Sequence, residues 1–309
     1  MLKYFASRIL EAVPVFFIIV TAVFFMVRFV PGGPFDKERA VSEETLAALN
    51  SYYGLDKPLV VQYCGFWKNL ANGDLGPSFK YAGWSVNEIL REKALVSLEL
   101  GGCALVIALA LGLFVGFAAA AFPRGRVGAA LSGISLVGIC LPAFVLGPVL
   151  ILIFCLRLKC FNAMGWSDFP SDIVLPAFTL ALFYAAWIAR LSRSRAVEEK
   201  SRGYVRTAVA KGCGKGRVYF VHILRNAIQP VISYMGPAAA GLLSGSFVVE
   251  TIFQIPGLGR FFISSALDND YTMIMGCVML YSVFIIAFNL LSDFLLAAVN
   301  PKIAKEMRK

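Results

Sequence analysis

Charge is what this sequence is short of. Lys, Arg, Asp and Glu make up 16% of its 309 residues, where a soluble domain carries about a quarter. Histidine occurs once, at His222, which excludes a multi-histidine metal site. No G-x-x-x-x-G-K-[ST] string occurs, so the chain has no P-loop to cradle nucleotide phosphates. Gly212-Cys213-Gly214-Lys215-Gly216 has the composition of one without the spacing or the Ser/Thr. There is no G-x-S-x-G elbow, and no nucleophile–base or metal constellation from which a membrane enzyme could be built. The seven cysteines include no C-x-x-C pair. Five lie in or beside apolar runs, where cysteine behaves as a small apolar residue. A Cys64–Cys160 disulfide across the outer face is the alternative.

What is present is apolar sequence. Hydrophobic residues are 59% of the chain and mean hydropathy is +0.73. A spanning helix needs roughly 20 mainly apolar residues. Six runs qualify: Leu10–Val30, Val96–Phe122, Ala129–Leu156, Ile173–Ile188, Pro230–Val249 and Met273–Val299. The fourth is short and contains Pro176. The first follows Lys3 and Arg8, as a signal peptide would, but it runs on too far and lacks a small-residue cleavage site. It reads as a retained span. The expected class is therefore an all-α membrane protein with six spans.

Lys and Arg gather on one side of such a topology. The 189–229 loop holds ten of them against Glu198 and Glu199. Residues 1–9, the 123–128 turn and the 300–309 tail share that side, which the positive-inside rule makes cytoplasmic. The net charge of +10 is mostly this asymmetry and is no argument for nucleic-acid binding. The expected organisation is a first span over 1–30, an outer helical loop over 31–95, a spanning core over 96–299 that includes the 189–229 loop, and the tail.

The outer loop opens at Pro31-Gly32-Gly33-Pro34. Ser42-Glu43-Glu44 predicts a helix start, ended by Gly54. Pro58 predicts a second helix, ended by Asn72-Gly73. Ser85-Val86-Asn87-Glu88 matches a capping box. Gly112/Gly116 and Gly241/Gly245 are G-x-x-x-G pairs, expected to serve close packing of helices within the chain. Ser244-Gly245-Ser246 is polar enough to touch a water-filled path. Of the charges in the spans, Glu11, Arg28, Glu99 and Arg157 lie near span ends. Asp293 is deeper, and either pairs with an arginine or lines the path. No chain of acids makes a proton relay, which argues against a secondary carrier or an ATP-independent channel.

The 189–229 loop has more order than topology requires. Tyr204 to Lys211 are mostly good helix positions, and Gly212 and Gly214 can take positive φ to turn a corner. Val218, Phe220, Val221, Ile223 and Leu224 make a following amphipathic stretch. Tyr204, Arg206, Thr207, Ala208, Ala210, Lys211 and Gly212, then His222 and Leu224, resemble the loop of ATP-binding-cassette importer permeases. Its general form is E-A-A, three residues, G, nine residues and I-x-L-P. Arg206 stands at the glutamate and Arg225 at the proline, departures shared with the peptide-permease family. Pro14 in the first span, Gly73-Asp74-Leu75-Gly76, Glu250-Thr251-Ile252-Phe253, Pro256-Gly257-Leu258-Gly259 and Asp270-Tyr271 resemble that family too. Leu75 to Tyr81 resembles its B-type oligopeptide branch. Asn300 stands where the family has aspartate before Pro301.

The resemblance implies a type I importer permease fold in a bacterial cytoplasmic membrane, with both termini cytoplasmic. It implies four protein partners: a second, similar permease, two cytoplasmic ATPases, and an extracytoplasmic peptide-binding protein. The cargo would be oligopeptide, or on the same architecture nickel, a glutathione-like peptide or another small peptide. This chain would hold no cofactor; ATP and Mg would sit on the ATPase subunits. The coupling residues would be the nine named above, and Ser244, Ser246 and Asp293 would belong to the translocation path.

Overall fold

The computed structural model describes residues 2–35, 43–81, 83–123, 125–167 and 171–299, and these are mostly helical. Ser42, Arg124, Asn300 and Pro301 lie outside them. Helix α1 (Leu2–Phe29) is the first span. Two short helices follow, α2 (Glu43–Tyr52) and α3 (Leu59–Ala71). The expected stops are in place, with Gly54 at φ +66° and Gly73 at φ +75°. Ser85 then opens α4 (Val86–Ala121) with the capping box the sequence predicts: its hydroxyl accepts from Glu88 N, and Glu88 accepts from Ser85 N. The outer helix and the second span are one 36-residue helix.

The third run departs from expectation. Ala129–Leu156 is not one helix but two, α5 (Arg126–Cys140) and α6 (Ala143–Leu150), the latter continuing as a π-helical turn over Ile151–Arg157. The two halves meet at 104°. The cause is Pro142, which lacks an N–H and pushes the residue before it out of the α region; Leu141 sits at φ −84°, ψ 111°. Counted as one bent span, the pair brings the candidate spans to six.

The fourth run is longer than its hydropathy. Helix α7 (Val174–Lys200) has 27 residues. Pro176 occupies its first turn, where an N–H would have no partner within the helix. The helix runs about 40 Å at 1.5 Å per residue, beyond the hydrocarbon and into the basic loop. There follow α8 (Gly203–Ala210), a short α9 (Lys215–Arg217) leading into a π-helical stretch over Val218–Ile223, and α10 (Leu224–Ala227). Helix α11 (Gln229–Ile252) is the fifth span, α12 (Leu258–Leu267) a short apolar helix, and α13 (Tyr271–Val299) the last span.

The centre is α4 packed on α7, the most extensive helix pair in the fold. In lipid there is little hydrophobic gain from helix association, so close packing must supply it, and small residues permit that. Ala104, Ala108, Ala181 and Ala185 are buried between the helices with Leu100 and Ile188. Gly112 and Gly116 serve this interface: an added Cβ would lie 2.7 Å from Ile188 Cβ and 2.4 Å from the Ala189 carbonyl oxygen respectively. Gly241 faces Tyr184, whose hydroxyl would lie 2.2 Å from such a Cβ. Both G-x-x-x-G pairs were expected to pack within the chain, and Gly112, Gly116 and Gly241 do. We expect Gly116→Leu to force α4 from α7 and cost about 1–3 kcal/mol. A lower midpoint for thermal aggregation in detergent would measure it, and an unchanged midpoint would refute it.

Loops that the topology assigns to one side touch one another. At one end, Ser78 and Lys80 reach Asp270, Asn269 and Tyr271 reach the Gly32 carbonyl, and Gly165 N donates to Phe253 O. At the other, Lys200 reaches the Ala120 carbonyl and Arg8 pairs with Asp293. Arg28, at the end of α1, lies 3.5 Å from the Phe24 ring centroid and donates to Gln62 of α3. All seven cysteines are free, including Cys64 and Cys160.

Candidate coupling site

Helix α8 hangs from the end of α7 by a two-residue turn, Ser201-Arg202. Arg202 is held by Glu198 at 2.6 Å, and Arg195 by the same carboxylate at 3.0 Å. One face of α8 is apolar and turned inward. Val205 and Ala208 are buried against Phe117, Ala120, Ala196, Val218, Ile223 and Ala227. The other face presents Arg206, Thr207, Val209, Ala210 and Lys211 to the surface. The helix ends at Gly212, whose φ is +80°, the left-handed conformation that glycine adopts without steric cost. Nothing lies within 4 Å of the Cβ position there, so backbone conformation is what demands glycine. Gly214 departs from expectation. Its φ is −60°, and it serves as the N-cap of α9.

Tyr204 locks this helix to the returning segment. Its hydroxyl donates to Glu199, accepts from Asn226 Nδ2 at 3.0 Å, and lies 3.2 Å from the His222 carbonyl oxygen. Burial pushes the phenol above its ordinary range, so it remains a neutral hydrogen-bonding group. His222 takes part here through its backbone, since Asn226 Nδ2 also approaches its carbonyl at 3.3 Å.

The amphipathic stretch is present, with Val218 and Ile223 buried and Phe220 and Val221 exposed. Two contacts fix it to α4 that the sequence did not reveal. Tyr219 donates its hydroxyl to the Phe117 carbonyl, and Lys200 its ammonium to the Ala120 carbonyl. Ala120 lies in the last turn of α4, where carbonyls have no partner within the helix and the Lys200 cation meets the negative end of the dipole; Phe117 lies just before that turn, and its carbonyl takes the Tyr219 hydroxyl as a second donor. Helix α8 is therefore tied to α7 through the chain, and the segment that follows it to α4 through these two bonds and to α11 through α10.

The nine loop residues thus divide. Tyr204, Arg206, Thr207, Ala210, Lys211 and Gly212 are exposed; Ala208 is buried, and His222 and Leu224 are half-buried. Ala208 and Leu224 pack in the apolar cluster that holds the helix in place. Of the three residues assigned to a path, Ser246 and Asp293 have described side chains, and each is engaged within the chain. Ser246 is fully buried, and its hydroxyl donates to the Leu243 carbonyl at 2.7 Å. It faces the subunit interior. The Ser244 side chain lies outside the described residues. Asp293 is 3.5 Å from Arg8 Nε, realising the ion-pair alternative of the two the sequence left open.

Two of the buried acids, Glu250 and Asp270, enter the sequence reading only as members of the family motifs, with no structural role read for them. Glu250 accepts from Ser97 Oγ of α4 at 2.7 Å and from Arg260 N at 3.0 Å, in the first turn of α12. Ser97 in turn accepts from Leu258 N at 2.8 Å. Gly257 leaves room for this, because a Cβ there would lie 2.5 Å from Glu250 Cδ. Asp270 accepts from Met273 N, capping α13, and from Ser78 Oγ, Thr272 Oγ1 and Lys80 N. For Asp270 the available signal was position, since it immediately precedes the start of α13, where a carboxyl meets free N–H groups; Glu250 lies within α11, eight residues before α12, and had no such local signal.

Residues 110–305 match the family described as binding-protein-dependent transport system inner membrane component, and residues 1–81 match the N-terminal family of the same membrane components. The chain is 40% identical over 304 residues to the oligopeptide transport system permease protein OppB of Haemophilus influenzae, covering 98% of this chain and 99% of that one. It is 40% identical over 303 residues to the dipeptide transport system permease protein DppB of Bacillus subtilis, covering 98% of each. Among solved structures, an amino acid ABC transporter matches with a TM-score of 0.55 at 18% identity, covering 69% of this chain and 94% of that one. The inward-facing MetNI methionine ABC transporter matches at 0.52 and 17%, covering 69% and 96%. The helical fold is thus that of importer membrane subunits, and the chain belongs to the family of binding-protein-dependent transport system inner membrane components.

Proposed function

We propose that this chain is one of two permease subunits of an ATP-driven peptide importer in a bacterial cytoplasmic membrane, with both termini and α8 in the cytoplasm. The observation that carries the coupling role is α8: a short helix buried on one face, basic on the other, and tied to three spans. Its exposed Arg206, Thr207 and Lys211 would seat in a groove of a cytoplasmic ATPase. A second, similar permease would complete the pore, with two ATPases beneath it and a peptide-binding protein on the outer face. ATP and Mg would be held by the ATPases, since this sequence has no P-loop.

The action would be alternating access by coupled rigid bodies. ATP would draw the two ATPases together and carry each α8 with them. Because α7 is unbroken from Val174 to Lys200, movement at its basic end would be delivered to its outer end without loss in a hinge. The bend at Leu141-Pro142 would let the α5–α6 span change shape separately. Oligopeptide is the proposed cargo, supported by the full-length similarity to peptide permeases.

The test is uptake into proteoliposomes containing this chain, its partner permease and both ATPases, with the binding protein outside. Labelled peptide should accumulate only with ATP inside and binding protein present. Unlabelled peptide should compete, and nickel and glutathione should not. Uptake by this chain alone without nucleotide would overturn the reading, and competition by nickel would overturn the cargo.

A further inference from the structure

A polar cleft lies between α4, α5 and α7, away from α8. It has a volume of about 550 Å³ and is lined by Ser132 and Ser135 of α5 and by Trp187, Arg190, Arg193 and Ser194 of α7, with small residues of α4 behind. Ser132 and Ser135 already donate to carbonyls of their own helix, Gly128 O at 2.6 Å and Leu131 O at 3.0 Å. Of the other donors lining the cleft, the Ser194 hydroxyl and the Trp187 indole N–H are neutral, and the guanidiniums carry the charge. Arg193 Nε is buried and has no hydrogen-bond partner among the described residues. The acids further along α7 are engaged elsewhere, Glu198 with Arg195 and Arg202, and Glu199 with Arg202. Among the described residues, no carboxylate lines the cleft.

A buried guanidinium N–H without an acceptor asks for an explanation, and the positive charge of the two guanidiniums favours an anion there. Its depth narrows the choice. The apolar stretch of α7 ends at Ile188, so Arg190 and Arg193 stand at the level where hydrocarbon gives way to headgroups. Trp187, about half exposed, is the residue type found at that level. Guanidinium presents a planar fork of donors that matches phosphate oxygens. Basic pockets between spanning helices on the cytoplasmic side hold anionic lipid headgroups.

We propose that this cleft binds the phosphate headgroup of an anionic phospholipid of the cytoplasmic leaflet, with Arg193 and Arg190 as its donors. The phosphate takes the Arg193 Nε–H, its glycerol end lies along Trp187, and its acyl chains leave into the bilayer beside α5. The lipid then braces the first half of the bent span against α7. The proposal rests on the orientation proposed above, which puts this end of α7 in the cytoplasm.

The assembled transporter in nanodiscs of phosphatidylcholine, with and without phosphatidylglycerol, tests it. Lipid retained after detergent extraction is read by native mass spectrometry. The transporter should retain phosphatidylglycerol in preference, and Arg190→Gln with Arg193→Gln should reduce that retention about tenfold. Arg190→Lys with Arg193→Lys should restore part of it, and it also serves if the glutamine pair does not assemble. Arg126→Gln, an exposed arginine outside the cleft, should change nothing. Glycerol phosphate in excess should not displace the lipid; displacement would mean a site for free phosphate and overturn the lipid assignment. Equal retention by the glutamine pair and the parent would overturn the site. So would loss of peptide uptake by the glutamine pair alike in both lipid mixtures with retention unchanged, which would place the arginines on the cargo path. Peptide-stimulated ATPase activity of the parent in phosphatidylcholine alone is the separate readout of the transport reading.

Discussion

Glu250→Ala should be the most destabilising single change outside the helix interfaces. The carboxyl is fully buried and joins three elements: α11, which carries it; α4, through Ser97; and α12, through Arg260 N. Alanine leaves a hydroxyl and a backbone N–H facing a void. An unsatisfied buried donor costs about 1–3 kcal/mol, and the void adds to it. A total of about 3–5 kcal/mol is the expected loss. It would be read as a fall in monodisperse protein after extraction and a lower aggregation midpoint. Glu250→Gln keeps an acceptor for Arg260 N and should lose about half as much. Gly257→Ala should resemble it, since its methyl group would strike the Glu250 carboxyl. A Glu250→Ala protein as stable as the parent would mean that α12 is held by its apolar face alone.

Gly212→Glu should leave the transporter assembled and stop it working. At φ +80° a residue with a Cβ is strained by about 1–2 kcal/mol. The end of α8 relieves that strain by moving. The acid also reverses the charge beside Lys211 on the face proposed to meet the ATPase. Peptide uptake and binding-protein-stimulated ATPase activity should both fall at least about tenfold, with co-purification of the subunits unchanged. Gly212→Asn separates the causes, because asparagine tolerates this conformation and brings no charge; it should keep most of the activity. Normal uptake by Gly212→Glu would remove α8 from the coupling path.

What could be read in the sequence was local. The Ser85–Glu88 capping box, the stops at Gly54 and Gly73, and the corner at Gly212 are short-range chemistry, and each is where the sequence puts it. Hydropathy found the spans but not their shapes. Pro142 is visible in the third run, yet neighbouring helices often re-satisfy the groups that a proline frees in a membrane, so nothing local decided between a straight and a broken helix. The fourth run looked short because apolarity stops at Ile188 while helix formation does not. Helix α7 continues on Ala, Arg, Leu and Glu, which are good helix formers in water.

The site was legible to the same extent. The exposed face of α8 follows from its own sequence. The inward turn of Ala208, the Tyr219–Phe117 and Lys200–Ala120 bonds, and the burial of Ser246 depend on residues far away in the chain. Glu250 and Asp270 were the hardest to find. An acid beside an apolar run reads as an exposed end, and only the three-dimensional meeting with Ser97 or Ser78 shows that it is interior.

That meeting has a consequence for how the molecule is made. Ser78 and Asp270 are 192 positions apart, and the Gly32 carbonyl meets Tyr271 across 239. During synthesis the outer segment emerges early, while the residues that fasten it arrive with the last span. Until then, α3 has the rings of α1 to rest on, Phe24 and Phe25 against Tyr63. The Asp270 carboxyl caps α13 and fastens the outer segment in one step, so the final helix also certifies that the first third of the chain is in place. A nascent chain stopped short of it would carry every earlier span and still lack these fastenings.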